Sequence, residues 1–226
     1  MDDTNAAPPR ANRVITIIGL LIALGLPFCH LSDLGQKVSG LGDTWGSDVL
    51  WWGLFAVIIL YVLVVERRGL SSIGYRRPGA WDIAIGVLAG IVMFMGTGTI
   101  FQFLLPALHL SMAHQLQTVT ATPMLFRIAN VTRAVVVEET AFRGYGFERL
   151  SELTGSTVLA GLVTFVLFTL AHYSGGGLAQ VIIAAFGGLV LTLLYMWRRN
   201  IWTNIIAHWL TDGSAFILLP LLTAHH

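Results

Sequence analysis

Val135-Val136-Val137-Glu138-Glu139-Thr140-Ala141-Phe142-Arg143-Gly144 is the stretch on which the reading of this chain turns. It sets two adjacent carboxylates and an arginine at the end of an apolar run. Charges at membrane depth cost several kcal/mol each unless they are paired or hydrated, so such a run marks a functional site. The surrounding composition places the run in a membrane. The 226 residues are 55% hydrophobic and only 11% charged, with a mean hydropathy of +0.75. A soluble domain carries about 25% charged residues. The expected fold is therefore all-α, a polytopic transmembrane helical bundle. On a helix, Glu139 and Arg143 share a face at i,i+4, in the favourable order for an ion pair. Glu138 is rotated by roughly 100° from Glu139 and points elsewhere. One carboxylate can be structural and its neighbour free for chemistry.

Composition also excludes several classes. The net charge of +1 says nothing about a nucleic-acid partner, and no basic patch with interleaved aromatics stands in the chain to suggest one. Cys29 is the only cysteine, so there is neither a disulfide framework nor a CxxC metal knuckle. Arg10 and Arg13 precede an apolar run, but Leu26-Pro27-Phe28-Cys29-His30 offers no small-x-small cleavage site. That run is expected to be a retained first span.

Residues 1–12 read as a disordered leader. Spans are expected from Val14 to about His30, over Val49 to Val65, and from Ile83 to about Leu105. Residues 31–47 read as a polar extramembrane loop. A longer, more polar fourth helix is expected from Leu125 to about Leu150. Further spans run over Ser156 to Tyr173, stopped by Gly175-Gly176-Gly177, then Leu178 to Trp197 and Ile201 to Leu222. Each clear span is near the ~20 residues that cross ~30 Å of hydrocarbon. The domain plan is 13–79 as two N-terminal transmembrane helices with a cytoplasmic loop, 80–222 as a catalytic core, and 223–226 as a tail. Seven spans with the N-terminus inside would put Arg10, Arg13, Arg67, Arg68, Arg76, Arg77, Arg149, Arg198 and Arg199 on the cytoplasmic side. Only Lys37 would lie outside, the asymmetry of the positive-inside rule.

Three more polar groups stand where apolar residues would be expected: His172 ends Phe168-Thr169-Leu170-Ala171-His172, and His208 and Asp212 share a face at i,i+4. The structural alternative is that a lone histidine is a packing group and that a Glu–Arg pair locks two helices. Depth argues against it. A hairpin turning at Thr154-Gly155-Ser156 sets Glu138 and His172 at equal distance from the turn, so they face each other. His208 lies roughly 14 Å beyond Arg199, and Glu139 roughly 15 Å before Arg149. Four side chains on three helices thus reach one level in the cytoplasmic half.

In these motifs the sequence resembles the CAAX protease and bacteriocin-processing family of intramembrane proteases, which includes the CAAX prenyl endopeptidases. Glu138-Glu139-Thr140-Ala141-Phe142-Arg143 matches its Glu-Glu-x-x-x-Arg motif. Phe168 to His172 matches Phe-x-x-x-His, and His208 to Asp212 matches His-x-x-x-Asn/Asp. Each motif alone is weak; three on successive helices at one depth are specific. The resemblance covers roughly residues 80–222. It implies an endopeptidase of the cell membrane in which Glu138 and His172 activate a water, with His208 and Asp212 completing the site. Glu139 and Arg143 belong to the same motif. Asp rather than the commoner Asn at 212 departs from the pattern. The implied partners are the bilayer and a membrane-associated peptide or protein substrate, with no nucleic acid.

Two mechanisms stay open at this point. Glu138, His172 and His208 could bind zinc with a water in the open position. Otherwise the site is metal-free, and His208 with a protonated Asp212 donates to the oxyanion. No His-Glu-x-x-His stands in the chain, which excludes a zincin-type site. Asp212-Gly213-Ser214-Ala215 lacks a serine nucleophile turn. The rival from another class is a non-enzymatic immunity or scaffold protein, or a small proton-coupled transporter. Inverted repeats and paired interrupted helices, the mark of a transporter, are absent from the sequence.

Overall fold

Asn12 opens the first helix by accepting the Val14 N–H at 3.1 Å, the ordinary N-cap bond. In the computed structural model, which describes residues 12–29, 31–39 and 42–218, the described residues are helical with no strand. The first helix (α1, Arg13–Leu20) widens into a π-helical turn at Leu21–Gly25 and tightens into a 3-10 turn at Leu26–Phe28. Pro27, which has no N–H to donate, sits in that tightened end, so the first expected span is irregular. Its end at His30 lies outside the described residues.

The expected loop over 31–47 is corrected. Residues Leu31–Ser39 form a helix (α2), and the next (α3) begins at Gly42 and runs to Leu60, with a π-turn at Tyr61–Val65. Leu31, Leu34 and Val38 recur at helical spacing. Asp33 lies in the first turn and Lys37 in the last, each complementing the helix dipole. Polar composition concealed an amphipathic period.

The next connection is a packed strap. A 3-10 turn at Leu70–Ile73 ends on Gly74 in the left-handed region, where a Cβ would collide with the Tyr195 hydroxyl. Ile73 is completely buried, and the Gly74 carbonyl accepts the Ile201 N–H at 2.9 Å. α4 (Ala80–Thr99) continues helically to Ala107, and a short helix (α5, Ala113–Thr120) crosses the segment that follows.

A continuous rod then carries the acidic motif: α6 (Met124–Glu138), nine π-helical residues Glu139–Phe147, and α7 (Glu148–Thr154). Gly155, at φ 72°, turns the chain, and the Ser156 side chain accepts the Leu159 N–H to start α8 (Thr157–Ala171). α9 (Tyr173–Arg198) follows almost at once. Gly176 and Gly177 are non-helical, so the helical run breaks at the glycine run, as expected, and the long part of α9 starts at Leu178. Asn200 caps α10 (Ile201–Gly213), which ends in a π-turn over Ser214–Leu218. The remainder of the expected last span lies outside the described residues.

α4 and α10 pack backbone to backbone. A Cβ on Gly86 would lie 2.7 Å from the Thr203 carbonyl, and one on Gly90 2.9 Å from that of Ala207. Thr211 donates to the Gly90 carbonyl across the seam at 3.3 Å. Small residues at i,i+4 are the usual means of close helix approach in lipid. Ion pairs tie one end of the bundle together. Arg149, fully buried, donates to Glu66 at 2.9 Å and to the Ser72 carbonyl at 3.2 Å. Arg198 pairs with Asp82 at 2.8 Å and Arg199 with Glu148 at 3.1 Å. The bidentate Arg68–Glu152 pair holds the Arg68 guanidinium above its ordinary pKa. Toward the other end, Asp48 accepts from Arg133 at 3.0 Å and joins α3 to α6. Large apolar side chains such as Leu21, Leu88, Met95 and Leu193 face outward. Asp48–Val65, Ala80–Ala107 and Tyr173–Arg198 are long and apolar enough to cross a membrane, and that outer surface suits lipid.

Candidate functional site

Glu138 and Glu139 fall where α6 passes into the π-helical stretch. Such widened turns recur at functional sites because they reset the direction of successive side chains. Two glycines permit this one. A Cβ on Gly146 would lie 2.8 Å from the Ala141 carbonyl, and one on Gly144 would lie 3.0 Å from the Ile73 carbonyl of the strap. Tyr75, also from the strap, hydrogen-bonds Thr140 at 2.7 Å, and burial pushes its hydroxyl pKa up.

Glu139 is fully buried and fully engaged. Its Oε1 accepts from Arg143 Nη1 at 3.0 Å and from His208 Nδ1 at 2.9 Å, while Oε2 accepts from Asn204 Nδ2 at 3.1 Å. Asn204 Nδ2 also donates to the Leu191 carbonyl at 2.8 Å; facing two acceptors, this atom must be the amide nitrogen. Arg143 donates its other arm to the Gly188 carbonyl at 3.2 Å and lies 4.0 Å above the Phe168 ring. Burial of this cation is thus compensated by a carboxylate, a carbonyl and an aromatic face. On the far side of His208, Nε2 is 3.5 Å from Asp212.

Glu138 takes the other direction. Its Oε2 is 3.8 Å from His172 Nε2, with both side chains about one-fifth exposed. They line a cavity of about 650 Å³ together with Phe142, Leu170, Trp51 and Gln180, which Pro27, Phe28 and Leu31 also help to wall. Glu138 therefore stands on an open cavity wall. His172 sits at the C-terminal cap of α8, where its backbone N–H turns to the Thr169 carbonyl. Its ring Nδ1 lies 2.8 Å from the Phe168 carbonyl. A carbonyl only accepts, so Nδ1 carries a proton, and Nε2 is the ring nitrogen turned toward Glu138.

Phe168 separates the two groups. Its ring centroid is 4.5 Å from that of His172 and 6.4 Å from that of His208, and Phe142 meets it edge-on. Gly188 leaves room for it, since a Cβ there would lie 2.8 Å from the Phe168 ring. The four side chains read as one level in the sequence thus divide into a cavity pair, Glu138 and His172, and a buried cluster of Glu139, Arg143, Asn204 and His208 with Asp212.

This division bears on the zinc alternative. His208 turns Nδ1 to Glu139 and Nε2 to Asp212, not to the Glu138–His172 pair. Among the described residues no three His, Cys, Asp or Glu side chains converge on a point where a metal ion would bind. The set Glu138, His172 and His208 does not fit a zinc ion as arranged.

Asn204, the strap contact Tyr75–Thr140 and the Asp48–Arg133 pair were missed in the sequence. Asn204 had a signal: it stands four residues before His208, as His208 stands four before Asp212, so all three share a face of α10. The other two join residues more than sixty apart and leave no local trace.

Residues 120–214, under half of the chain, match the family described as Type II CAAX prenyl endopeptidase Rce1-like. No curated protein matches the chain, and no solved structure does.

Proposed function

We propose, from the premise that residues 120–214 belong to the CAAX protease family, that this chain is an intramembrane endopeptidase working from the Glu138–His172 pair. The observation that carries the reading is the asymmetry of the two carboxylates. Glu139 is fully buried and accepts from three donors, two on Oε1 and one on Oε2. Glu138, its chain neighbour, faces a cavity with an imidazole 3.8 Å away. That gap is too long for a direct hydrogen bond and suits a bridging water.

The proposed chemistry is metal-free hydrolysis. Glu138 takes a proton from the bridging water as its oxygen attacks the scissile carbonyl carbon. The Nε2 lone pair of His172 orients that water and later relays the proton to the leaving amine. His208 keeps both ring nitrogens in the buried cluster, so the oxyanion donor in this reading is the part-exposed Asp212 in its neutral form, oriented by His208. Glu139 and Arg143 neutralise each other and hold His208 by its Nδ1 proton. The catalytic core is 80–222, and the 3-10 turn at Leu26–Phe28, α2 and α3 of the 13–79 region add to the cavity wall. The N-terminus and the end bearing Arg149, Arg198 and Arg199 are cytoplasmic in this reading, with seven spans. The substrate is a membrane-associated peptide or protein.

The test is cleavage of a membrane-tethered peptide reporter by purified protein in vesicles. Wild type should cleave, and Glu138→Ala and His172→Ala should each lose at least a hundredfold while keeping the wild-type thermal midpoint, in line with general acid–base contributions on the order of 10²–10⁴. Undiminished cleavage by Glu138→Ala would end the proposal.

A further inference from the structure

Gly175-Gly176-Gly177 and Gln180 have no part in the chemistry above, yet they bound the same cavity. Gly177 adopts φ 61°, ψ −147°, a conformation that only glycine takes readily, and Gly176 is also non-helical. Their kink re-aims α9 just before Gln180. Space there is tight: a Cβ on Gly176 would lie 2.9 Å from Gln180 Cβ and 3.1 Å from Met112 Sδ. The hydrogen at position 176 is therefore what lets residue 180 come so close. Gln180 is half-buried and lines the same cavity as Phe142, Leu170, Ala171 and the Glu138–His172 pair.

Two other polar groups of that wall, on His172 and Ser174, are occupied within the chain. His172 Nδ1 is held by the Phe168 carbonyl, and the Ser174 hydroxyl donates to the Ala171 carbonyl at 3.5 Å. The Gln180 carboxamide forms no hydrogen bond with any described residue. It is thus left available, on the same wall as the Glu138–His172 pair, to a ligand that enters the cavity. An extended peptide entering an apolar cavity has the complementary need, because each backbone N–H and C=O must find a partner away from water. A carboxamide offers one acceptor and two donors and pairs with a peptide group as another peptide group does.

We propose that Gln180 is a substrate-binding residue, its carboxamide pairing with a main-chain amide of an extended peptide laid along the Glu138–His172 wall. The assignment rests on the protease reading of this cavity. It predicts recognition of the backbone and not of a particular side chain.

The probe is a fluorophore–quencher peptide with a C-terminal apolar anchor in phosphatidylcholine vesicles, together with ester analogues that replace one peptide bond at a time near the cleavage site. Gln180→Leu should raise KM on the order of tenfold, the loss of one to two hydrogen bonds, with kcat and the thermal midpoint little changed. In wild type one ester position should raise KM by a similar factor; in Gln180→Leu that position should have no further effect. A fallen thermal midpoint, or ester effects that simply multiply with the mutation, would mean that Gln180 is structural and overturn the assignment. Binding of the same peptide to Glu138→Gln protein separates this inference from the reading beneath it. Gln180-dependent binding without wild-type cleavage would keep the binding role and remove the protease. Cleavage and binding both indifferent to Gln180→Leu would do the reverse. Absence of any binding would remove both.

Discussion

Glu139 holds a negative charge with no exposed atom, and three side chains from two helices account for it: Arg143 on its own rod, and Asn204 and His208 on α10. Removing one partner of a buried ion pair leaves an uncompensated charge, at about 3–5 kcal/mol. Arg143→Leu should therefore lower the thermal midpoint and the yield of folded protein along with cleavage; a stable, folded, inactive protein would assign Arg143 to the substrate instead. Asn204→Leu removes a neutral donor to a charge and should destabilise less, by about 1–3 kcal/mol. Asp212 tests the oxyanion proposal. If it serves as a neutral donor, Asp212→Asn should cleave at near wild-type rate and resist a strong chelator, because the amide donates in its place. A loss on the order of 10–100-fold, with chelator inhibition and zinc rescue of wild type, would replace the proposal with a metal site. At this scale the sequence was legible wherever partners are four residues apart on one helix. Which carboxylate His208 would reach was not legible, because adjacent glutamates point in directions set by the turn they stand in.

That turn belongs to the element scale. An ordinary α-helix was expected from Leu125 to about Leu150, and the rod holds nine π-helical residues in its middle. Propensity does not announce such a stretch; it depends on glycines 144 and 146, whose missing Cβ atoms allow Ile73 and Ala141 carbonyls to stand close. Helix packing can be tested more directly. Gly90→Leu places a side chain where a bare Cβ would already lie 2.8 Å from Leu210 Cβ, whereas Gly98 on the same helix has nothing within 4 Å. Overpacking of this kind costs about 1–3 kcal/mol or more. Gly90→Leu should depress the thermal midpoint in detergent clearly, and Gly98→Leu should leave it near wild type. Equal effects would show that α4 and α10 are not held by this seam.

Across the whole molecule, the proposed seven-span arrangement with the N-terminus inside would put nine basic residues on one side of the membrane and one on the other. A reporter inserted after the exposed Arg77 should report the cytoplasm, and one at the C-terminus the opposite side; the same side for both would break the seven-span arrangement. The helical class and the membrane setting were determined by the sequence alone, because low charge and ~20-residue apolar runs leave few alternatives in lipid. The facing of Glu138 and His172 followed from counting residues along a hairpin turned at Gly155. Only the tertiary structure decided that the Leu26–Phe28 turn, α2 and α3 help wall the cavity, and that the Leu70–Tyr75 strap packs beneath the acidic motif. It alone decided that His208 joins Glu139 and leaves Glu138 to His172. Helical period and membrane depth are one-dimensional and can be counted along a chain. The azimuth at which one helix meets another is set by close packing of residues far apart in sequence, and no local pattern carries it.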